Sequence, residues 1–600
     1  MIASVDPHTG QEVARFPALA PAEVDAALTA AVRAQAQWRQ RGLAARLALL
    51  RDLAAVLRAG KRRYARLITA EMGKPLGQAE AEIEKCALTC EHYAAHAPSY
   101  LADETVDTPG RHSSVVYDPL GVILAVMPWN FPFWQFFRFA VPALAAGNGA
   151  LLKPAENVPR CALAIEEVWR DAGGPDGLVR SLLVEVEQVA GIVADDRVAA
   201  VTMTGSTRVG GLLAAQAGAA LKKQVLELGG SDPFIVLADA DVPAAAAAAV
   251  DSRFLNTGQS CVNAKRFIVA DRVAEDFVAA VSERIRDLRV GDPTEPGVTV
   301  GPLARADLRD QLHDQVRRTV AEGATLVLGG APVDGPGFHY QPTLIDHVTP
   351  AMTAFREETF GPVAAVVRVA DTEEAIRLAN QSEYGLGAAL WTADVARAQR
   401  LARRIDAGAV FVNAMVASEP SLPFGGIKKS GYGRELGRHG ILEFVNAKTV
   451  SVAPAPAVVP EPGQRTTVEP AFPPVVLRPA QLPPRERGGG ARTVQLVTRR
   501  RGADSFLNGI TTFAPGGAIP LHVHNCAESV VVLAGQAIVE IDGVEDELGP
   551  EDTTYVPAGV PHRFRNASAT EPMRILWTYA SVEATRTIVA TGMTTRVDAE

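Results

Sequence analysis

Between Ser114 and Gly230 the chain alternates short apolar runs with segments of helical period, and few folds accept that pattern. Val115-Val116-Tyr117 and Gly121 to Val126 read as strands covered on both faces, since such strands need no polar alternation. Phe133 to Ala145 reads as a helix closed by Gly147-Asn148-Gly149, residues that tolerate a positive φ. A strand at Ala150 to Lys153 follows. Then come helix Arg160 to Ala172, strand Leu182 to Val184, helix Val189 to Ala194, strand Ala199 to Thr202, helix Arg208 to Ala220 and strand Lys223 to Leu228. Parallel strands need long crossovers and helices supply them, so this stretch predicts a doubly wound α/β layer.

Six hundred residues exceed what one core organises, and the flanks differ in texture. Ahead of the layer, helices are expected at Pro21 to Gln40, Leu43 to Leu57, Arg62 to Met72 and Glu80 to Ala97. Cys86 and Cys90 share one face of the last; with no further ligand evident nearby they read as core. A second α/β segment runs from Phe234 to about Val412. Prolines then crowd Ala453 to Gly490, which ends in three glycines and reads as an extended linker. Beyond it short strands with Gly, Pro and Asp turns predict an all-β barrel over 491–600. The formal charge of -9 argues against a nucleic-acid partner. Five scattered cysteines point to a reducing cytoplasm, and the N-terminus carries no signal-peptide pattern. Apolar runs such as Pro243 to Val250 are too short to span a bilayer, so no membrane partner is expected.

The stretch Asn256 to Lys265, NTGQSCVNAK, presents Cys261 behind residues that continue neither helix nor strand well. Two readings follow: a reactive thiol, or a small buried hydrophobe. A free thiol, with a pKa of about 8.5, needs a nearby cation or helix N-terminus to become mostly thiolate at neutral pH.

Seven strings bear on that choice: PWNFP at Pro128 to Pro132, KPAE at Lys153 to Glu156, GSTRVG at Gly205 to Gly210, ELGG at Glu227 to Gly230, GQSCV around Cys261, ETFGPV at Glu358 to Val363 and PFGG at Pro423 to Gly426. Each alone is weak. In this order and spacing they resemble the aldehyde dehydrogenase superfamily, over about Met1 to Val452. The resemblance implies a Rossmann-like cofactor domain over about 1–229, an α/β catalytic domain over about 230–415, and oligomerisation strands over about 110–125 and 430–452. It also implies Cys261 as nucleophile, Asn130 and the Cys261 backbone N–H as oxyanion donors, and Glu227 as the base that hydrolyses a thioester. Gly205 and Ser206, between a strand and a helix, suit a pyrophosphate. Glu358 and Phe360 are expected at the nicotinamide ribose, Lys153 and Glu156 at the adenine ribose, and Trp129 among the cofactor-binding residues. A carboxylate at Glu156 repels a 2′-phosphate, which favours NAD, with NADP as the alternative.

Arg138 and Ser418 resemble the pair that holds the distal carboxylate in a bacterial succinate-semialdehyde dehydrogenase subgroup. The expected substrate is therefore succinate semialdehyde or a related acidic semialdehyde, in a homodimer or homotetramer whose final strand, about Lys448 to Val452, pairs across subunits. The barrel carries a second signature. Gly516, His522, His524, Glu528 and Gly535, then Pro557, Gly559, His562 and Asn566, have the spacing of the two cupin motifs, with Glu551 where the second motif usually begins with glycine. His522, His524, Glu528 and His562 make a ligand set for a divalent first-row metal. A metal-cupin oxygenase or isomerase, and a ligand-sensing cupin that regulates the dehydrogenase, remain as alternative functions.

Overall fold

The structure is a computed structural model that describes residues 1–109, 111–453 and 475–598. The chain divides into two compact units, Met1–Pro454 and Ala455–Glu600.

In the first unit, strands Val122–Met127, Gly149–Pro154, Val179–Ser181, Val198–Thr204 and Lys223–Glu227 form one parallel block, extended by the short antiparallel strand Gly431–Tyr432. Helices Trp134–Ala146, Pro159–Asp171, Val186–Ala194 and Thr207–Ala219 make the crossovers. The expected doubly wound layer is thus present. One strand is displaced: Leu182–Val184 is buried but irregular, and the ladder lies at Val179–Ser181. The second sheet has seven strands, with Asp232–Val236, Ala264–Ala270, Val363–Val369 and Gly387–Trp391 at its centre, all parallel.

Helices Pro21–Gln40, Leu43–Ala59, Lys61–Met72 and Leu76–Tyr100 match the expected four, but the last starts earlier and runs through Pro98. A proline there removes the donor to the Ala94 carbonyl. Arg51 Nη2 takes that place at 3.2 Å, so the helix continues. A third sheet joins Glu104–Thr108, Arg111–Pro119 and Val445–Val452. The final strand pairs with Arg111–Pro119 of the same chain, and from Asn446 onward its residues are exposed. Among the described residues no helix is long and apolar enough to cross a membrane.

Among the described residues the second unit has two six-stranded sheets whose strands all pair antiparallel, and its core includes Phe513, Val530, Val532, Val539, Phe564 and Trp577. The linker expected over 453–490 needs correction at its end; its residues 454–474 lie outside the described ones. Arg485–Gly488 is a strand that pairs with Ala491–Val497, and Gly488, Gly489 and Gly490 make the hairpin turn with φ of 77°, 59° and 76°. Three consecutive positive φ values require glycine-like freedom, so the triplet is turn chemistry rather than spacer. Glu551, at the position where the cupin motif usually has glycine, sits at φ 76°.

Candidate functional site

Cys261 stands between the 3-10 turn Leu255–Gly258 and the central strand Ala264–Ala270. That turn is unusual: Asn256 and Thr257 have φ of 53° and 55°. Fixed neighbours hold it there. The Asn256 amide donates to the Asn130 carbonyl at 2.8 Å, and Thr257 Oγ1 accepts from Gly301 N at 2.9 Å. Gly258 passes so close to the next loop that a Cβ would lie 2.1 Å from the Gly361 carbonyl oxygen. Fully buried Arg253 donates to the carbonyls of Thr359, Gly361 and Val363, which ties the cysteine loop to the segment carrying Glu358 and Phe360.

Asn130 follows the strand Val122–Met127. Its Nδ2 donates to the Gln259 carbonyl at 3.0 Å and its Oδ1 accepts from Gln135 at 2.9 Å. One amide N–H thus has a protein partner and the other does not. Among the described residues the Cys261 backbone N–H also has no acceptor. Two free N–H donors therefore belong to residues that share one cavity wall, the kind of group that a developing oxyanion needs.

Asn130 and Cys261 line a cavity of about 480 Å³ together with Trp129, Gly205, Ser206, Glu358 and Phe360. Gly205 and Ser206 follow the strand Val198–Thr204, and Ser206 caps the helix Thr207–Ala219 by accepting from Val209 N. Their helix N-terminus meets the cavity, where its N–H groups and dipole suit a phosphate. Glu358 is held by Lys265 Nζ at 2.9 Å and Gly230 N at 3.2 Å. The Trp129 and Phe360 rings meet edge to face at 5.8 Å. Lys153 ends the neighbouring strand, opposite Val126, and exposed Glu156 follows it. These two do not line the cavity. The donors and shape fit a dinucleotide lying across the carboxyl ends of the parallel strands.

Burial pushes the Cys261 thiol up to about 11; Arg138 and Lys265 pull it down, and Asp232 and Glu227 push it further up. The expected cations are present, but burial outweighs them. Glu227 is buried behind the cavity lining, with no hydrogen-bond partner on either carboxylate oxygen. Gly425 makes room for it: a Cβ there would lie 2.5 Å from Glu227 Oε1. Burial, then the charge of Glu435, raises Glu227 well above the carboxylate range, against Arg138 and Arg434.

The resemblance implies an Arg138 guanidinium facing a substrate carboxylate; here Arg138 is buried and ion-paired with Glu435. It also donates to Thr204 Oγ1 at 3.2 Å and lies 4.5 Å from the centre of the Phe424 ring. Ser418 Oγ accepts from Lys85 Nζ at 2.8 Å. Neither Arg138 nor Ser418 lines the cavity. Glu435, Arg253 and Lys265 were not singled out in the sequence. Only Lys265, four residues after Cys261, gave a local hint.

The second unit has its own cluster. His522, His524, Glu528 and His562 are buried, and their ligand atoms all lie within 4.8 Å of one another. The Nδ1 atoms of His522, His524 and His562 meet the carbonyls of Pro520, Thr585 and Val560 at 2.7, 2.8 and 2.9 Å. A carbonyl only accepts, so each Nδ1 carries the proton and each Nε2 faces inward. Burial lowers His522 to about 3, with the neighbouring imidazoles adding to the effect. Burial opposes the charge on His562, but its hydrogen bond to Glu528 raises it overall. Buried His524 Nε2 has no hydrogen-bond partner. Three neutral-capable imidazoles and one carboxylate converging on a point fit a divalent first-row metal.

A model of the aldehyde dehydrogenase family matches residues 1–450, and a model of the cupin domain matches residues 509–579. A Synechocystis protein described as a probable NADP-dependent succinate-semialdehyde dehydrogenase is 51% identical over 452 residues, 75% of this chain and 100% of that protein. An Escherichia coli protein described as an NAD(P)-dependent succinate semialdehyde dehydrogenase is 48% identical over 447 residues, 74% of this chain and 97% of its own length. The crystal structure of succinic semialdehyde dehydrogenase from Streptococcus pyogenes with NADP+ has a TM-score of 0.74 at 37% identity, covering 75% of this chain and 99% of that one.

Proposed function

The chain belongs to the aldehyde dehydrogenase family, and from that premise we propose that it oxidises succinate semialdehyde, or a close acidic semialdehyde, through a covalent intermediate on Cys261. As an NAD(P)-dependent aldehyde dehydrogenase it converts aldehyde, water and oxidised dinucleotide into carboxylic acid, reduced dinucleotide and a proton. The Cys261 sulfur attacks the carbonyl carbon as the thiolate, and the oxygen takes up the charge between the Cys261 N–H and the Asn130 amide. A dinucleotide held by Gly205, Ser206, Glu358 and Phe360 would supply the hydride acceptor for the collapse of this oxyanion. A thioester remains on Cys261. Glu227, once deprotonated, takes a proton from the water that attacks it, and the acid and the free thiol are released. The observation that carries this reading is the pair of unpartnered donors beside Cys261, opening on the cavity that the helix Thr207–Ala219 also meets.

The semialdehyde assignment rests on Arg138, Ser418 and the descriptions of the relatives. For the cofactor, exposed Glu156 favours NAD over NADP, a departure from the NADP-linked relatives. Strand Val445–Val452, exposed from Asn446 onward, pairs on one edge only among the described residues, which supports assembly into a homodimer or homotetramer. In the second unit, His522, His524, Glu528 and His562 support binding of a divalent first-row metal.

Steady-state kinetics over an aldehyde panel with both dinucleotides test the reading. Succinate semialdehyde should give the highest kcat/KM, with NAD preferred, and Cys261→Ala should abolish turnover. Full activity in that variant would remove the covalent mechanism.

A further inference from the structure

Lys85, on the helix Leu76–Tyr100, donates to Ser418 Oγ at 2.8 Å and lies 4.4 Å from the centre of the Trp134 ring. An ammonium carries three N–H donors. Among the described residues Ser418 is its only hydrogen-bond partner, and no carboxylate lies within ion-pair distance. Burial, then the charge of Arg138, pulls Lys85 down to about 8. A half-buried cation without an anion is costly to keep, unless a ligand completes it.

The neighbouring charges are already matched. Arg138 is paired with Glu435. Glu82, three residues before Lys85, is paired with Lys74 and accepts from the backbone N–H groups of Phe133 and Trp134. Glu419 follows Ser418 but is exposed and stays outside ion-pair distance. Among the described residues the cation beside Ser418 without an ion-pair partner is therefore Lys85, which Glu419 and Glu82 support only from beyond that distance. The Trp134 ring face steadies the ammonium by cation–π attraction without occupying its remaining N–H groups.

We propose that Lys85 is a specificity-determining residue whose ammonium, with Ser418 Oγ and Arg138 beside it, receives the distal carboxylate of an acidic aldehyde. This rests on the semialdehyde reading given above and adds the group that supplies the net charge. Ser418 orients the ammonium, and Arg138 contributes a directed N–H fork whose charge Glu435 already balances.

The test compares succinate semialdehyde with butanal, an uncharged aldehyde of equal carbon number, on the full chain and on Lys85→Met and Lys85→Arg. Loss of a charge-assisted hydrogen bond predicts an increase of about ten- to a hundred-fold in KM for succinate semialdehyde in Lys85→Met. Its kcat, and KM for butanal, should stay within about twofold, and Lys85→Arg should retain most of the affinity. An unchanged KM for succinate semialdehyde overturns the proposal, and so does an equal change for both aldehydes, which would mark a packing role. If Lys85→Met does not fold, Lys85→Gln gives the same readout. Wild-type enzyme with no preference for the semialdehyde over butanal would instead overturn the substrate reading itself.

Discussion

Cysteine reactivity in the dinucleotide-free chain offers a direct check on the electrostatics of the site. With its thiol pushed up to about 11, Cys261 holds about 0.1% thiolate at pH 8. A free cysteine, with a pKa of about 8.5, holds about a quarter. Alkylation of Cys261 by iodoacetamide should therefore run about two hundred-fold slower than that of a model thiol at pH 8, before any steric hindrance. Because the thiolate is the reacting species, the rate should climb close to tenfold per pH unit, about a thousandfold from pH 7 to 10. Peptide-resolved mass spectrometry separates Cys261 from half-buried Cys526, while buried Cys86, Cys90 and Cys161 serve as unlabelled controls. A rate that levels off below pH 9 would show that Arg138 and Lys265 overcome burial, and would refute the reasoning. A resting thiol also suits a nucleophile that must survive oxidants, since the thiolate is the form that oxidants attack.

Glu227→Gln should leave a burst of about one equivalent of reduced dinucleotide and slow the steady state by about 10²- to 10⁴-fold; stopped-flow absorbance reads both, and an unchanged kcat would exclude Glu227 as the hydrolytic base. Elemental analysis of the full chain should find about one divalent first-row metal per chain, lost on His524→Ala or His562→Ala; equal metal in those variants would dismiss the four-ligand site. Glu551→Gly should stabilise the second unit by about 0.5–1 kcal/mol, because glycine relieves the side-chain cost of φ 76° but loses more chain entropy on folding. A lower denaturant midpoint in that variant would mean that Glu551 makes a compensating contact.

What the sequence made legible was local. Buried strands such as Val122–Met127 and Val198–Thr204 carry their own signal, since parallel strands covered on both faces are continuously apolar. Helix ends carry it too: Gly73 and Gly147 stop their helices at φ 77° and 103°. Leu507–Phe513 and Thr585–Ile588 lack that signal, because they mix threonine, glycine and asparagine or arginine into short barrel strands. Leu182–Val184 misled in the opposite way, being apolar because it packs and not because it pairs.

At the site the division is the same. Cys261, Asn130 and the cluster of His522, His524, Glu528 and His562 stand in contiguous or closely spaced strings, so a string suffices to find them. The charge balance around them is long-range. Glu435 meets Arg138 from 297 positions away, and Lys85 meets Ser418 across 333. Which of two cations keeps its charge available depends on where a distant carboxylate lands, and burial decides the proton on Cys261 more strongly than either neighbouring cation. The strings point to Arg138 and Ser418 for the substrate carboxylate, and the fold sets Glu435 beside Arg138. Among the described residues Lys85 has no ion-pair partner, and that contrast makes the lysine the sharper place to test what this enzyme recognises.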